Sequence, residues 1–161
     1  INLIKLLQWP ALDEAQQRRL KIVTAESCTG GLIAGLLTEI PGSSATVERG
    51  FIVYSNRAKE EMLNVPGDLI ADAGAVSEPV VRAMAEGALE LSRANLAVAV
   101  TGVAGPGGGT PLKPVGLVHL AVARENKPIF HQAMRFGDIG RDKVRRETIV
   151  TALEMLRKMM A

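Results

Sequence analysis

The sequence predicts a single α/β domain with three layers, α/β/α, around a mixed, mostly parallel sheet. Three observations carry this. Strand-length apolar runs alternate with helical patterns along most of the 161 residues. Two of those runs empty into loops rich in glycine and hydroxyl side chains, as strands do at the ligand-binding edge of an open sheet. Near the end, two strand-like runs follow one another and suit a hairpin. No repeat or low-complexity segment breaks the pattern, so residues 1–161 read as one domain.

Residues 12–20 are charged and helix-compatible, and they feed a short buried strand, Leu20–Val23. Thr24-Ala25-Glu26-Ser27-Cys28-Thr29-Gly30-Gly31 then forms a strand-to-helix turn before the apolar helix that begins at Leu32. A helix start in that place offers free N–H groups to an anion such as a phosphate. Equally, Ser27 or Thr29 can simply cap the helix. Pro41-Gly42 stops that helix, and residues 43–47 suit a short connecting turn. Phe51–Tyr54 is the second strand, with Asn56 as N-cap of a helix over residues 57–63.

Pro66-Gly67-Asp68 turns the chain, and Ser77-Glu78-Pro79 opens the clearest long helix. Its Val80, Val81, Met84, Ala85, Ala88, Leu89 and Leu91 follow helical spacing. Leu96–Val100 is a continuous apolar run, the mark of a strand covered on both faces. It opens into the glycine-dense loop of residues 101–111. Leu117–Val122 and Ile129–Phe136 pair as the hairpin, and a last helix runs from Lys143 to about Met159.

A net charge of +2 argues against an electrostatic nucleic-acid binder. One cysteine forbids an internal disulfide, in keeping with a cytoplasmic setting. No apolar run reaches transmembrane length and no signal peptide is visible, so no membrane partner is expected. The chain begins at Ile1 rather than Met, which leaves open a longer parent. The apolar long helices and the late hairpin suit a homo-oligomer.

If the strands before them lie side by side, loops 26–31 and 101–110 face one crevice. Lys59 is the residue with most chemical promise there. It would stand in the first turn of its helix, where the dipole disfavours a cation, with Arg57 close by. Burial would lower its pKa further and make it a neutral base. Ser27, Cys28 and Ser44 are the candidate nucleophiles. His119 and His131 sit in or beside late strands without an assignable acidic partner, so a serine–lysine pair is better supported than a triad. Cys28 at a helix start is a candidate thiolate, or a small buried hydrophobe. Tyr54 ends a strand and can donate to an oxyanion, while Arg141 can clamp a phosphate or carboxylate. No set of residues has metal-ligand spacing, and no metal is expected.

The stretches 24–31, Gly42-Ser43-Ser44, Tyr54-Ser55-Asn56 with Lys59, residues 74–80 and Thr101-Gly102-x-Ala104-Gly105-Pro106 together resemble the CinA C-terminal domain family. Lys113-Pro114-Val115-Gly116 and the segment 141–146 extend the resemblance over nearly the whole chain, in the stand-alone form of the domain. That family includes bacterial nicotinamide-nucleotide amidohydrolases. The resemblance implies hydrolysis of the carboxamide of nicotinamide mononucleotide (NMN) to nicotinic acid mononucleotide and ammonia, without metal or cofactor. It implies Ser44 as nucleophile and Lys59 as base, assisted by Ser27 and Tyr54, although by position Ser27 can equally attack. Substrate contacts fall to Glu26, Thr29, Gly30, Gly31, Thr101, Gly102, Gly105 and Arg141. The alternative is a non-catalytic module that binds a pyridine nucleotide or a competence-associated partner.

Overall fold

The computed structural model describes residues 3–161; the opening Ile1 lies outside them. In chain order the elements are α1 (Leu3–Gln17), β1 (Ile22–Glu26), α2 (Leu32–Leu37), a short 3-10 helix (Ser43–Ala45) and β2 (Val47–Ile52). Then come α3 (Asn56–Leu63), α4 (Gly67–Ala73), α5 (Glu78–Glu90), β3 (Leu96–Gly102), β4 (Leu117–Arg124), β5 (Phe130–Arg135) and α6 (Arg141–Met160). The strands form one sheet in the order β2-β1-β3-β4-β5. β2 and β3 both pair in parallel with β1, whereas β4 is antiparallel to β3 and to β5. Four of the five strands thus run one way, and the expected mixed, mostly parallel sheet is borne out.

Alternation along the strands divides the core into two layers. Ile22, Leu96, Val98, Val100, Val118, Leu120 and Val122 face α1, α2 and α6. Val23, Ala25, Ala97, Ala99, Ala121 and Ala123 face α5 and the helices beside it. The alanines on that second face let α5 lie close to β3 and β4. Because β3 is covered on both sides, Leu96–Val100 reads as an unbroken apolar run, whereas β1, equally buried, carries Thr24 and Glu26. α5 also presses against the end of α3: a Cβ at Gly87 would overlap the Leu63 carbonyl oxygen. Gly87→Ala is therefore expected to cost about 1–3 kcal/mol as an overpacked contact, read as a lower thermal midpoint.

Several boundaries differ from the sequence expectation. α1 starts at Leu3 and carries Pro10 inside it, well before residue 12. β1 begins later, at Ile22, and runs on through Thr24 to Glu26, polar residues that are nonetheless wholly buried. β2 starts at Val47, before the expected Phe51; it is an edge strand, and its exposed Arg49 and Gly50 break the apolar pattern. The Pro66-Gly67-Asp68 turn is the start of α4, with Asp68 in its first turn. Ser55, not Asn56, caps α3: its Oγ accepts from the Ala58 N–H at 3.0 Å. Ser77 caps α5 as its sequence suggested.

Candidate active site

β1 and β3 lie side by side in register from Ile22 opposite Leu96 to Glu26 opposite Val100. From β1 the chain turns one way through α2 to β2. From β2 it crosses back over β1 to β3, with α5 on the other face. The carboxyl ends of β1 and β3 therefore flank the place where the winding reverses, where open sheets leave a crevice. A cleft of about 230 Å³ occupies it, with Ser27, Tyr54, Asn56, Lys59, Thr101 and Arg141 among its lining residues.

Lys59 is the centre of this cleft and is only 1% exposed. The cap at Ser55 starts α3 so that Lys59 points back along the helix toward the end of β2. Its Nζ lies 3.0 Å from the Val53 carbonyl oxygen, 3.2 Å from that of Tyr54 and 3.1 Å from Ser27 Oγ. Burial pushes its pKa below the ordinary lysine value of 10.5, with the nearby Cys28 side chain acting weakly the other way. Arg57, invoked from sequence, points outward to Glu61 at 4.0 Å and is largely exposed. Desolvation replaces it as the cause.

Nζ donates to all three neighbours, the two carbonyl oxygens and the Ser27 hydroxyl, while Ser27 Oγ makes a long 3.5 Å contact to the Tyr54 carbonyl. Burial disfavours the charged form of this amine, and its deprotonated form has a lone pair within reach of the Ser27 hydroxyl.

Ser44 is not part of this arrangement. It sits exposed in the 3-10 helix that precedes β2. Thr46 bonds the Ile22 N–H through its carbonyl at 2.8 Å, which fixes that helix at the amino end of the sheet. The length of β2, roughly 20 Å at about 3.3 Å per residue, separates Ser44 from the cleft. Chain direction carried that signal, because a residue just before a parallel strand lies at the edge opposite the ligand edge.

Glu26 and Thr29 are fully buried and build the turn instead of lining the cleft. Glu26 Oε1 accepts from Ile33 N–H at 2.9 Å and from Thr29 Oγ1 at 2.6 Å, and Oε2 accepts from Ala34 N–H at 3.0 Å. The start of α2, expected to hold a ligand's anion, is filled by this internal carboxylate. Gly30 and Gly31 adopt φ of +58° and +105° to make the turn. A side chain on Gly31 would meet Ile52, so the turn requires glycine there. Glu26→Ala is expected to lower stability by about 2–4 kcal/mol in urea unfolding, from a lost cap and stranded amides.

Thr101 and Gly102 line the cleft from the end of β3, and Thr101 Oγ1 donates to the Ala75 carbonyl at 3.0 Å. Gly105 acts indirectly. Its carbonyl accepts from Arg141 Nη1 at 2.9 Å, while Arg141 Nη2 donates to the Tyr54 hydroxyl at 2.9 Å. Arg141 thus fastens Tyr54, 61% exposed, across the mouth. Burial raises the Cys28 thiol to about 12, so it is an inert small side chain and no thiolate. Sequence reasoning missed Asn56, Ala75, Val76 and Ala104 as lining residues. Asn56 was assigned to the cap and Ala75 and Val76 carry no chemistry of their own.

The model of the CinA C-terminal domain matches residues 7–160. The chain belongs to that family. A CinA-like protein of Anaeromyxobacter sp. (strain K) is 51% identical over 137 residues, 85% of this chain and 33% of that protein. One from Akkermansia muciniphila is 64% identical over 107 residues, 66% of this chain and 26% of that protein. The chain spans about a quarter to a third of the length of these two curated relatives. The crystal structure of the competence/damage inducible protein CihA from Agrobacterium tumefaciens matches with a TM-score of 0.98 at 53% identity, covering 100% of this chain and 98% of that one. A CinA superfamily protein from Klebsiella pneumoniae matches with a TM-score of 0.93 at 32% identity, covering 99% and 98%. The CinA resemblance read from the sequence motifs is therefore borne out. Among the described residues no helix is long and apolar enough to cross a membrane.

Proposed function

We propose that the chain hydrolyses the carboxamide of nicotinamide mononucleotide to nicotinic acid mononucleotide and ammonia, with Ser27 as nucleophile and Lys59 as its base. The observation that carries this reading is the buried Lys59 Nζ held between two carbonyl oxygens and the Ser27 hydroxyl. A module that merely bound a nucleotide would have no need of a desolvated lysine aimed at a serine.

In the reaction, Lys59 takes the Ser27 proton as Oγ attacks the carboxamide carbon. The Tyr54 hydroxyl accepts from Arg141 and keeps its own proton to donate to the oxyanion; such a donor is worth about 10²–10³-fold in rate. Collapse of the tetrahedral intermediate breaks the C–N bond, and protonated Lys59 returns the proton so that ammonia leaves. Water then attacks the acyl ester, giving its proton to Lys59, and Ser27 is released with its hydrogen restored. Thr101 and Arg141 are the polar groups placed to hold the nucleotide, Arg141 having further N–H donors for the phosphate.

The test is ammonia release from NMN by the purified protein in EDTA, with the acid product identified. Chelator-resistant turnover supports the reading. Saturable NMN binding with no turnover would overturn the enzyme and favour a nucleotide-binding module; absence of both would favour a partner module.

A further inference from the structure

α6 opens beside the cleft with two arginines one turn apart, Arg141 and Arg145, and the proposed reaction uses only the first. Residues so spaced share a helix face, and both meet loops at the carboxyl edge of the sheet. Arg141 reaches the Gly105 carbonyl and the Tyr54 hydroxyl. Arg145 reaches the turn that carries Ser27: its Nη2 donates to the Thr29 carbonyl at 3.2 Å. A Cβ on Gly30 would stand 3.4 Å from the same nitrogen, so the guanidinium lies against that peptide. Arg145 does not line the cleft, and its contact is with the turn.

That turn needs an outside hold. Ser27 is fixed on one side, where its N–H donates to the Val100 carbonyl at 3.2 Å. Beyond it the chain runs through Gly30 and Gly31, both at positive φ, where the backbone of glycine rotates most freely. Two contacts oppose that freedom, and they meet at Thr29. Glu26 Oε1 accepts from the Thr29 hydroxyl, and Arg145 holds the Thr29 carbonyl. The helix behind Arg145 is a firm support, because its Val144, Thr148, Ile149 and Leu153 are buried. As a mere space-filler, however, Arg145 is a poor choice. Its Nε is buried with no hydrogen-bond acceptor among the described residues. An N–H left unpaired in this way lowers stability, and a methionine would fill the same path without one.

We propose that Arg145 is a positioning residue for the hydrolysis: it anchors the 27–31 turn to α6 and so keeps Ser27 Oγ aligned with Lys59 Nζ. This rests on the reading of Ser27 as nucleophile. Oγ lies 3.1 Å from Nζ, while the Val53 and Tyr54 carbonyls hold Nζ independently of the turn. A turn that drifts therefore moves the nucleophile and leaves the base in place. A misplacement of about 1 Å between reacting groups can cost about 10²-fold in rate. Through Arg141 on the glycine-rich loop and Arg145 on the nucleophile's turn, one helix sets the spacing of two walls of the cleft.

Arg145→Met is the deciding variant, because packing and positioning predict different results for it. If the side chain only packs, methionine removes an unpaired N–H and leaves both stability and kcat intact. Positioning predicts that the thermal midpoint holds or rises while kcat for NMN falls about 10–100-fold, with KM within about twofold. The Gly30 and Leu32 amides close this turn on the Ser27 and Thr29 carbonyls. Their hydrogen exchange should quicken about tenfold, while exchange along β1 and β3 stays at the wild-type rate. Arg145→Lys keeps a donor for Thr29 on a shorter stem and should recover part of both losses.

Wild-type exchange at Gly30 and Leu32 in Arg145→Met would overturn the proposal. Quickened exchange with kcat untouched would do the same. So would a lowered midpoint with faster exchange throughout the sheet, which marks general loosening instead of a local hold. The exchange and stability readouts need no substrate. A wild type without NMN turnover, whose turn still loosens as expected in Arg145→Met, would count against the proposed reaction and leave the anchoring of the turn in place.

Discussion

Ser27→Ala is expected to lower NMN hydrolysis by about 10³-fold or more, while Ser44→Ala stays within about twofold of the parent. The contrast follows from the two ends of β2. Ser27 Oγ is 3.1 Å from Lys59 Nζ at the carboxyl edge of the sheet, and Ser44 stands exposed at the amino edge. Ser27 is also cheap to test. Its hydroxyl makes one strong contact, to Lys59, and one long contact of 3.5 Å to the Tyr54 carbonyl, so alanine should fold. Steady-state ammonia release, with circular dichroism to check folding, decides it. A dead Ser44→Ala beside an active Ser27→Ala would reverse the assignment of the nucleophile.

Lys59→Met should be equally damaging, by about 10³-fold, and Lys59→Arg should fail with it. Arginine keeps the positive charge but does not deprotonate, so its failure would identify base chemistry rather than charge as what the site needs. The same residue leaves a mark on stability. Burial lowers the folded pKa of Lys59 from 10.5, so the unfolded chain binds the proton more readily. Between the two values stability rises with pH, by at most about 1.4 kcal/mol per unit, and the full contribution is present above 10.5. As pH falls through the folded value that contribution is lost. Urea unfolding of the wild type and Lys59→Met from pH 7 to pH 10.5 should show this rising component only in the wild type. The acid limb of kcat/KM should fall at the lowered lysine value for the same reason.

The sheet was legible wherever local pattern and burial agree. Leu96–Val100 announced a doubly covered strand, and Ser77-Glu78-Pro79 announced α5, because each signal lies within one stretch. Legibility failed where a distant partner changes what a residue can tolerate. Glu26 reads as part of the strand-to-helix turn, yet it is the buried last residue of β1, because α2 supplies amides for its carboxylate. Lys59 was legible as a candidate base, but the stretch 56–62 carries no sign of its burial. Its burial depends on Val53, Tyr54 and Ser27 meeting around it, which no spacing encodes. The histidines had no visible acidic partner since Glu78 is 53 positions from His131. Ser27 and Ser44 look alike as hydroxyls in turns, and strand direction alone tells them apart.

Glu26 also bears on product release under the proposed reaction. That reaction would make a carboxylate from a neutral amide, and a bare helix start beside the nucleophile would attract the new charge and slow its departure. At the start of α2 the Ile33 and Ala34 amides are already taken by the Glu26 side chain. An acid formed beside Ser27 would find that helix start closed to it, through a residue that does not line the cleft.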